Sequence, residues 1–374
     1  MRRNELVVQV FFELVKAGLW EKQVRLLPFG EIDFTEVYRL ADEQSVVGLV
    51  AAGLDHVQDM KVTKPLALPF LKSVISLENR NTEMNRFIVR LFSILHEQKV
   101  FPLLIKGQGI ARCYSRPQWR ASGDIDLLVA QKDYAKAKAF LAQKADPSSV
   151  KEIEETLEFG FSIDPWVVEL HGTLMCRIYK KMDKCLSKVQ ERCCELGETR
   201  IWKDDARDVP LPSVDLDIIV IFTHFLKHFF RNGIGLRQIC DWCRLLWTYR
   251  DVIDRDLLES HLKEMDIQKE WKAFAAYAVG YLGMPEEAMP FYDSSIRWRH
   301  KARRINTDIL QNGNFGHNSD DSYQEKCPYI ISKFISLWRY FCDAVRHTLI
   351  FPKGSLHTFF MLFSKGIHSV IHGV

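Results

Sequence analysis

Apolar residues recur at three-to-four spacing through residues 1–98: Leu6, Val10, Phe11, Leu14 and Val15, then Val37, Leu40 and Ala41 behind the candidate cap Asp33. Phe87, Leu91, Ile94 and Leu95 share one face of a longer helix predicted over Leu66–Gln98. The rhythm changes at residue 99. Val100–Ile105 and Gly123–Val129 are predicted strands, and Asp133–Gln143 a helix with Tyr134, Ala137 and Leu141 on one side. Glu158–Ile163 and Trp166–Leu170 alternate like strands and can pair across a turn at Asp164-Pro165. From residue 176 the helical period returns, apart from a short strand near Thr199–Trp202. Asp215 caps an apolar helix ending near Arg231, Gly233 and Gly235 break it, and Leu236–Tyr249 is the next. Further helices are expected around 255–265, 267–283, 296–311 and 329–347, with Gly313–Ser322 an exposed loop.

Strands mixed with short helices between two helical regions predict an α+β (α/β) fold. The expected division is an N-terminal helical segment (1–98), a small mixed-sheet core (99–175) and a C-terminal helical domain (176–374). The net charge of +3 is too balanced for a dedicated nucleic-acid surface or a polybasic membrane anchor. Nine cysteines are an odd number without framework spacing, which predicts a reduced, cytoplasmic protein. The N-terminal apolar run stops at Glu13, short of a signal peptide, and the stretch Ile218–Leu226 is broken by His224, so no membrane span is expected.

Candidate chemistry concentrates in Pro102–Val129, a strand, a Lys106-Gly107 turn, a short helix, a basic loop and a second strand. Asp124 and Asp126 open that second strand. Side chains two apart in a strand share a face, so both carboxylates point the same way, roughly 7 Å apart at Cα. Carboxylates on an otherwise apolar strand are costly to bury without a cation between them, and a divalent metal bound to a phosphate answers that need. Lys106 can neutralise phosphate, the backbone N–H groups after Gly107 and at Gln108 can donate to it, and Arg112, Arg116 and Arg120 add charge nearby.

A glycine turn, a helix and an Asp-x-Asp strand together resemble the polymerase-β-like nucleotidyltransferase superfamily. The closer resemblance is to the branch of bacterial uncharacterised nucleotidyltransferases. It rests on the Lys-Gly turn, the strand Gly123-Asp-Ile-Asp-Leu-Leu-Val129, the segment Glu169-Leu170-His171 and the helix start Gly235-Leu-Arg-Gln leading to Asp241. The resemblance implies Asp124, Asp126 and Glu169 as catalytic metal ligands for Mg²⁺, with Mn²⁺ as the alternative. It implies Lys106, Gly107, Gln108, Arg120 and Arg237 at the nucleotide phosphates. The implied reaction transfers a nucleoside monophosphate from an NTP, ATP first among them, to a hydroxyl of a small molecule, sugar or protein by a two-metal mechanism. The turn departs from the superfamily's Gly-Ser, reading Gly107-Gln108, so the small hydroxyl is absent.

Other features have plainer readings. Arg237 and Asp241 lie one helical turn apart, either as an ion pair in the less favourable order or with Arg237 released toward phosphate. Cys240 and Cys243 are expected as buried thiols, and His224 and His228 as core-edge histidines. Arg297, Lys301 and Arg304 form a basic stripe expected to be solvated, and Leu356–Ile371 an apolar tail expected to pack on the helical domain. The rival function is a non-catalytic nucleotide-binding or partner-binding protein on the same fold.

Overall fold

The computed structural model describes residues 3–203, 207–231, 233–313, 335, 338, 341–342 and 344–372. Helices α1 (Arg3–Trp20), α2 (Phe34–Glu43), α3 (Val47–Leu54) and α4 (Lys64–Glu97) precede strand β1 (Leu103–Ile105). The single-turn α5 (Gly107–Ala111) leads to β2 (Ile125–Leu128), α6 (Tyr134–Ala142), β3 (Lys151–Ile153), β4 (Glu158–Ile163) and β5 (Trp166–His171). Then come α7 (Lys180–Cys194), the hairpin β6 (Thr199–Trp202) and β7 (Val209–Pro212), and α8 (Val214–Arg231). The helices α9 (Leu236–Thr248), α10 (Arg255–Met265), α11 (Gln268–Leu282), α12 (Ile296–Asn312) and α13 (Pro352–His372) follow.

The sheet runs in the order β1-β2-β5-β4-β3, with β2 and β5 parallel and every other neighbour antiparallel. Its two faces differ because side chains alternate along each strand. Ile125, Leu127, Val168, Leu170, Phe159 and Phe161 bury against the second half of α4 and against α6. Leu103, Ile105 and Leu128 point the other way, into a larger core built by the helices. Asp126 pairs with Ile105 across the ladder and therefore faces the helical half.

That larger core joins both ends of the chain. Residues of α1, α2 and α3 share it with α8, α9, α11 and α12, around an aromatic centre of Phe222, Phe225, Trp242, Trp271 and Phe274. Trp20 Nε1 donates to the Leu282 carbonyl at 2.6 Å. Gln44, fully buried at the end of α2, accepts from Leu236 N–H at 3.0 Å and donates to the Ile309 carbonyl at 3.0 Å. A side chain from the N-terminal segment thus satisfies one of the open backbone donors at the start of α9.

Several expectations need correction. β1 starts at Leu103, not Val100, and β2 at Ile125, so Asp124 stands just outside the strand. β7 carries Pro210 and Pro212, residues that argue against a strand and fit here on the edge of a two-stranded ribbon. The basic stripe of α12 is not simply solvated: Lys301 donates to the Ile350 carbonyl and Arg304 to the Leu349 carbonyl. On α13 Ser355 and Thr358 are buried while Leu356, Phe360 and Phe363 are exposed, so the tail packs through its small polar residues. Most of the loop at Gly313–Ser322, most of the helix at 329–347 and Cys327 lie outside the described residues.

One contact sets the seat of the loop before β2. A Cβ on Gly48 of α3 would lie 1.9 Å from the Trp119 carbonyl oxygen, a backbone atom with no rotamer to change. Gly48→Ala should push the Pro117–Trp119 turn away and cost about 1–3 kcal/mol of unfolding free energy in urea denaturation.

Candidate active site

The parallel register of β2 and β5 places Asp126 beside Glu169, one strand spacing of about 4.8 Å apart. Lys106 Nζ donates to Asp126 Oδ1 at 2.8 Å. His171 Nε2 lies 3.0 Å from the same oxygen and 3.6 Å from Glu169 Oε2. Donor atoms of Asp126, Glu169 and His171 all fall within 4.8 Å of one another. Asp124 stands exposed at the rim. Lys106 reaches the carboxylates from a turn in which both it (φ 60°) and Gly107 (φ 45°) take left-handed backbone angles. Glycine does so freely and a lysine at a cost, a strain found at sites the surrounding fold holds in place.

The charges are unevenly compensated. Burial alone would raise the Asp126 carboxyl, but Lys106 and the His171 hydrogen bond outweigh it and hold the group well below the usual carboxylate range. An ionised Asp126 can only accept, so His171 carries its proton on Nε2. Burial first, and Asp126's charge second, raise both Asp124 and Glu169. Three carboxylates around one ammonium leave a deficit of positive charge. The carboxylate oxygens of Asp126 and Glu169 fit a divalent cation, with His171 hydrogen-bonded to Asp126 beside them and Asp124 at the rim of the same cavity.

A cavity of about 570 Å³ opens over this cluster. Its opposite wall is α8, a largely buried helix whose half-buried positions His224, Lys227 and His228 face the cavity. These histidines are core-edge residues, as expected, and the edge they stand on is the cavity wall. Their rings sit 4.5 Å apart, and burial, with Lys106 and Lys227 as the next contributors, holds His224 well below its usual value and His228 at about 3. Nothing in an apolar helix tells which strip of it faces a cavity, so only their spacing was legible. His171 is visible in sequence only as the last residue of the Glu-Leu-His segment.

The predicted phosphate residues divide. Lys106, Gly107, Arg120 and Arg237 line the cavity, while Gln108 does not: buried, it donates from Nε2 to Asn81 Oδ1 at 2.9 Å. Asn81 in turn donates to the carbonyls of Gln118 and Arg120 at 2.6 and 2.8 Å. Arg120 makes a two-pronged pair with Asp241, both contacts 2.7 Å, and Tyr114 donates to the same carboxylate at 2.8 Å. Asp241 therefore pairs with Arg120, 121 residues away, and not with Arg237 on its own helix. Arg237 donates to the Ala121 carbonyl at 3.1 Å, its buried Nε has no partner, and its guanidinium lies just beyond Gly123. Arg112 lies over Trp202, and Arg116 pairs with Asp55, both away from the acids. Cys240 and Cys243 are fully buried in α9. A second cluster, Cys185, His261 and Glu264, is closed by Arg192, whose NH1 lies 3.4 Å from His261 Nε2. A guanidinium can only donate, so His261 offers Cys185 its Nδ1–H and is satisfied without an ion.

The loop that delivers Asp124 is thus clamped by α4, α5 and α9. Asp241→Ala should cost about 3–5 kcal/mol, since it leaves Arg120 charged, buried and alone; equilibrium denaturation reads this directly. His228 binds a proton more weakly folded than unfolded, so the stability it contributes is complete above about pH 6.5 and is lost as pH falls toward about 3. Denaturation at a series of pH values should show that acid-side slope reduced in His228→Asn.

The family described as uncharacterised nucleotidyltransferase matches residues 30–283, which takes in α2 to α11 and every residue of the acid cluster. No curated protein and no solved structure matches the chain. Among the described residues no helix is long and apolar enough to cross a membrane. The match covers well over half of the sequence, and the chain belongs to the uncharacterised nucleotidyltransferase family.

Proposed function

We propose that the chain transfers a nucleoside monophosphate from an NTP, with ATP the first candidate, to a hydroxyl acceptor, using Asp124, Asp126 and Glu169 to hold Mg²⁺ or Mn²⁺. The observation that carries this reading is the pair Asp126 and Glu169, abreast on parallel strands with Lys106 against them, at the floor of a cavity of nucleotide size. When bound, divalent ions supply Lewis-acid polarisation of phosphate oxygens and of the acceptor hydroxyl. In the transfer the acceptor oxygen bonds to the α-phosphorus, the bond from that phosphorus to the bridging oxygen breaks, and pyrophosphate leaves.

The chain's own residues orient and neutralise. Lys106 and Arg237 meet phosphate oxygens from two sides, Lys106 from the turn and Arg237 from α9 past the bare Gly123. Arg237 is free to do so because Arg120 occupies Asp241. Glu169, the half-buried acid abreast of Asp126 on the cavity floor, is placed to take the acceptor's proton at Oε. Helices α8 and α9 line the cavity above the acids.

The test incubates the full chain with Mg²⁺ and each labelled NTP, with and without a cell extract, and follows pyrophosphate release and label transfer. Asp126→Asn and Glu169→Gln should each fall below about a hundredth of the wild-type rate. Arg237→Ala should weaken nucleotide binding by roughly tenfold. Binding of all four NTPs without turnover would overturn the transferase reading in favour of a nucleotide sensor.

A further inference from the structure

The functional reading leaves one part of the cavity unused. Beyond Lys106 and His171, on the side away from Gly123 and Arg237, the space continues into a side chamber of about 40 Å³ between β4, β5 and α8. That is room for about three waters, enough for a small polar head group and too little for a nucleoside. Its polar lining includes Glu158, Thr173, His224 and Lys227.

Lys227 is the unusual member. Its helix buries every residue from Leu216 to Phe230 except His224, Lys227 and His228, and these open on the cavity. A lysine in such a setting does not stand on an ordinary solvated face. Each other cation around the acids has a partner: Lys106 has Asp126, Arg120 has Asp241, and Arg237 has the Ala121 carbonyl. Among the described residues Lys227 makes no hydrogen bond and no ion pair. Lys227 lines both the main cavity and the side chamber, whereas Arg237 lines the main cavity alone.

We infer that the side chamber is the acceptor subsite, and that the acceptor carries a small anionic group, a phosphate monoester or a carboxylate, held by Lys227 beside the His224 ring. This rests on the transferase reading for the word acceptor, because an NTP lying with its phosphates between Gly107 and Arg237 leaves the Lys227 end open for the second substrate. An ammonium donating to a phosphate or carboxylate oxygen makes the stronger, charge-assisted kind of hydrogen bond, and neutral imidazoles can add donors without repelling a cation nearby. The two-sided geometry would keep two anionic substrates apart while Lys106 and the bound cation screen them from each other. Lys227, which also borders the main cavity, is thereby a specificity-determining residue for the acceptor.

Calorimetric titration of the full chain decides the matter, with inorganic phosphate and acetate as probes of the two anion classes. With a non-hydrolysable ATP analogue and Mg²⁺ already saturating, one of the two should still bind. Lys227→Gln should weaken that binding by about tenfold or more and leave the analogue's affinity unchanged, while Lys227→Arg should retain it. Thermal melts of both variants control for folding. The inference is overturned if the analogue excludes both anions, if neither binds, or if Lys227→Gln weakens the analogue instead, which would assign Lys227 to the triphosphate. If the analogue itself fails to bind, the transferase reading fails, and phosphate or acetate titrated alone into wild type and Lys227→Gln still reports on the chamber.

Discussion

The parallel pairing of β2 with β5 is the constraint from which the site follows. It fixes Asp126 and Glu169 side by side, and strand alternation sends both toward the helical half while their neighbours bury under α4. Like charges at that spacing repel, and burial sharpens the repulsion. The fold answers with Lys106 and His171 on Asp126, and leaves Glu169 and Asp124 with carboxyl groups that hold protons more readily than usual. A surplus of negative charge held in a cleft is a standing demand for a cation.

The second requirement is that the loop before β2 stay put, because Asp124 lies on it and not in the ladder. Asn81 grips two of its carbonyls, Arg237 a third, and the Arg120–Asp241 pair anchors it to α9. This is a buried ion pair fully engaged on both sides, costly to break singly and directional enough to set one loop conformation. Gln108, standing where the wider superfamily has a small hydroxyl, belongs to this scaffold: it orients Asn81.

Local pattern made the sheet core and most helices legible. The Asp-x-Asp strand, the β4–β5 hairpin at Asp-Pro and the apolar period of α8 and α9 are short-range signals, and each appears close to its expected bounds. What pattern could not supply was long-range. The helical repeat puts Arg237 and Asp241 together and leaves open whether they pair or Arg237 turns away; a partner 121 residues upstream takes Asp241 with two prongs and a tyrosine. A five-residue helix has too few positions to show which side Gln108 faces. The strip of α8 that opens on the cavity is defined by what packs around it and not by its own sequence.

The shared core of the two chain ends also has a consequence in time. Trp20 waits for the Leu282 carbonyl, 262 residues later in the chain, and Gln44 for both Leu236 and Ile309. At ~5–20 residues per second of synthesis, the apolar side of α1 is finished roughly 13–50 s before α11 exists to cover it. The sheet core, whose partners all lie between α4 and β7, can close within that interval. Order of assembly is thus built into the topology: the carboxylate floor can be laid early, and α1, which packs closely on α3 made soon after it, gains its α11 contact only near the end.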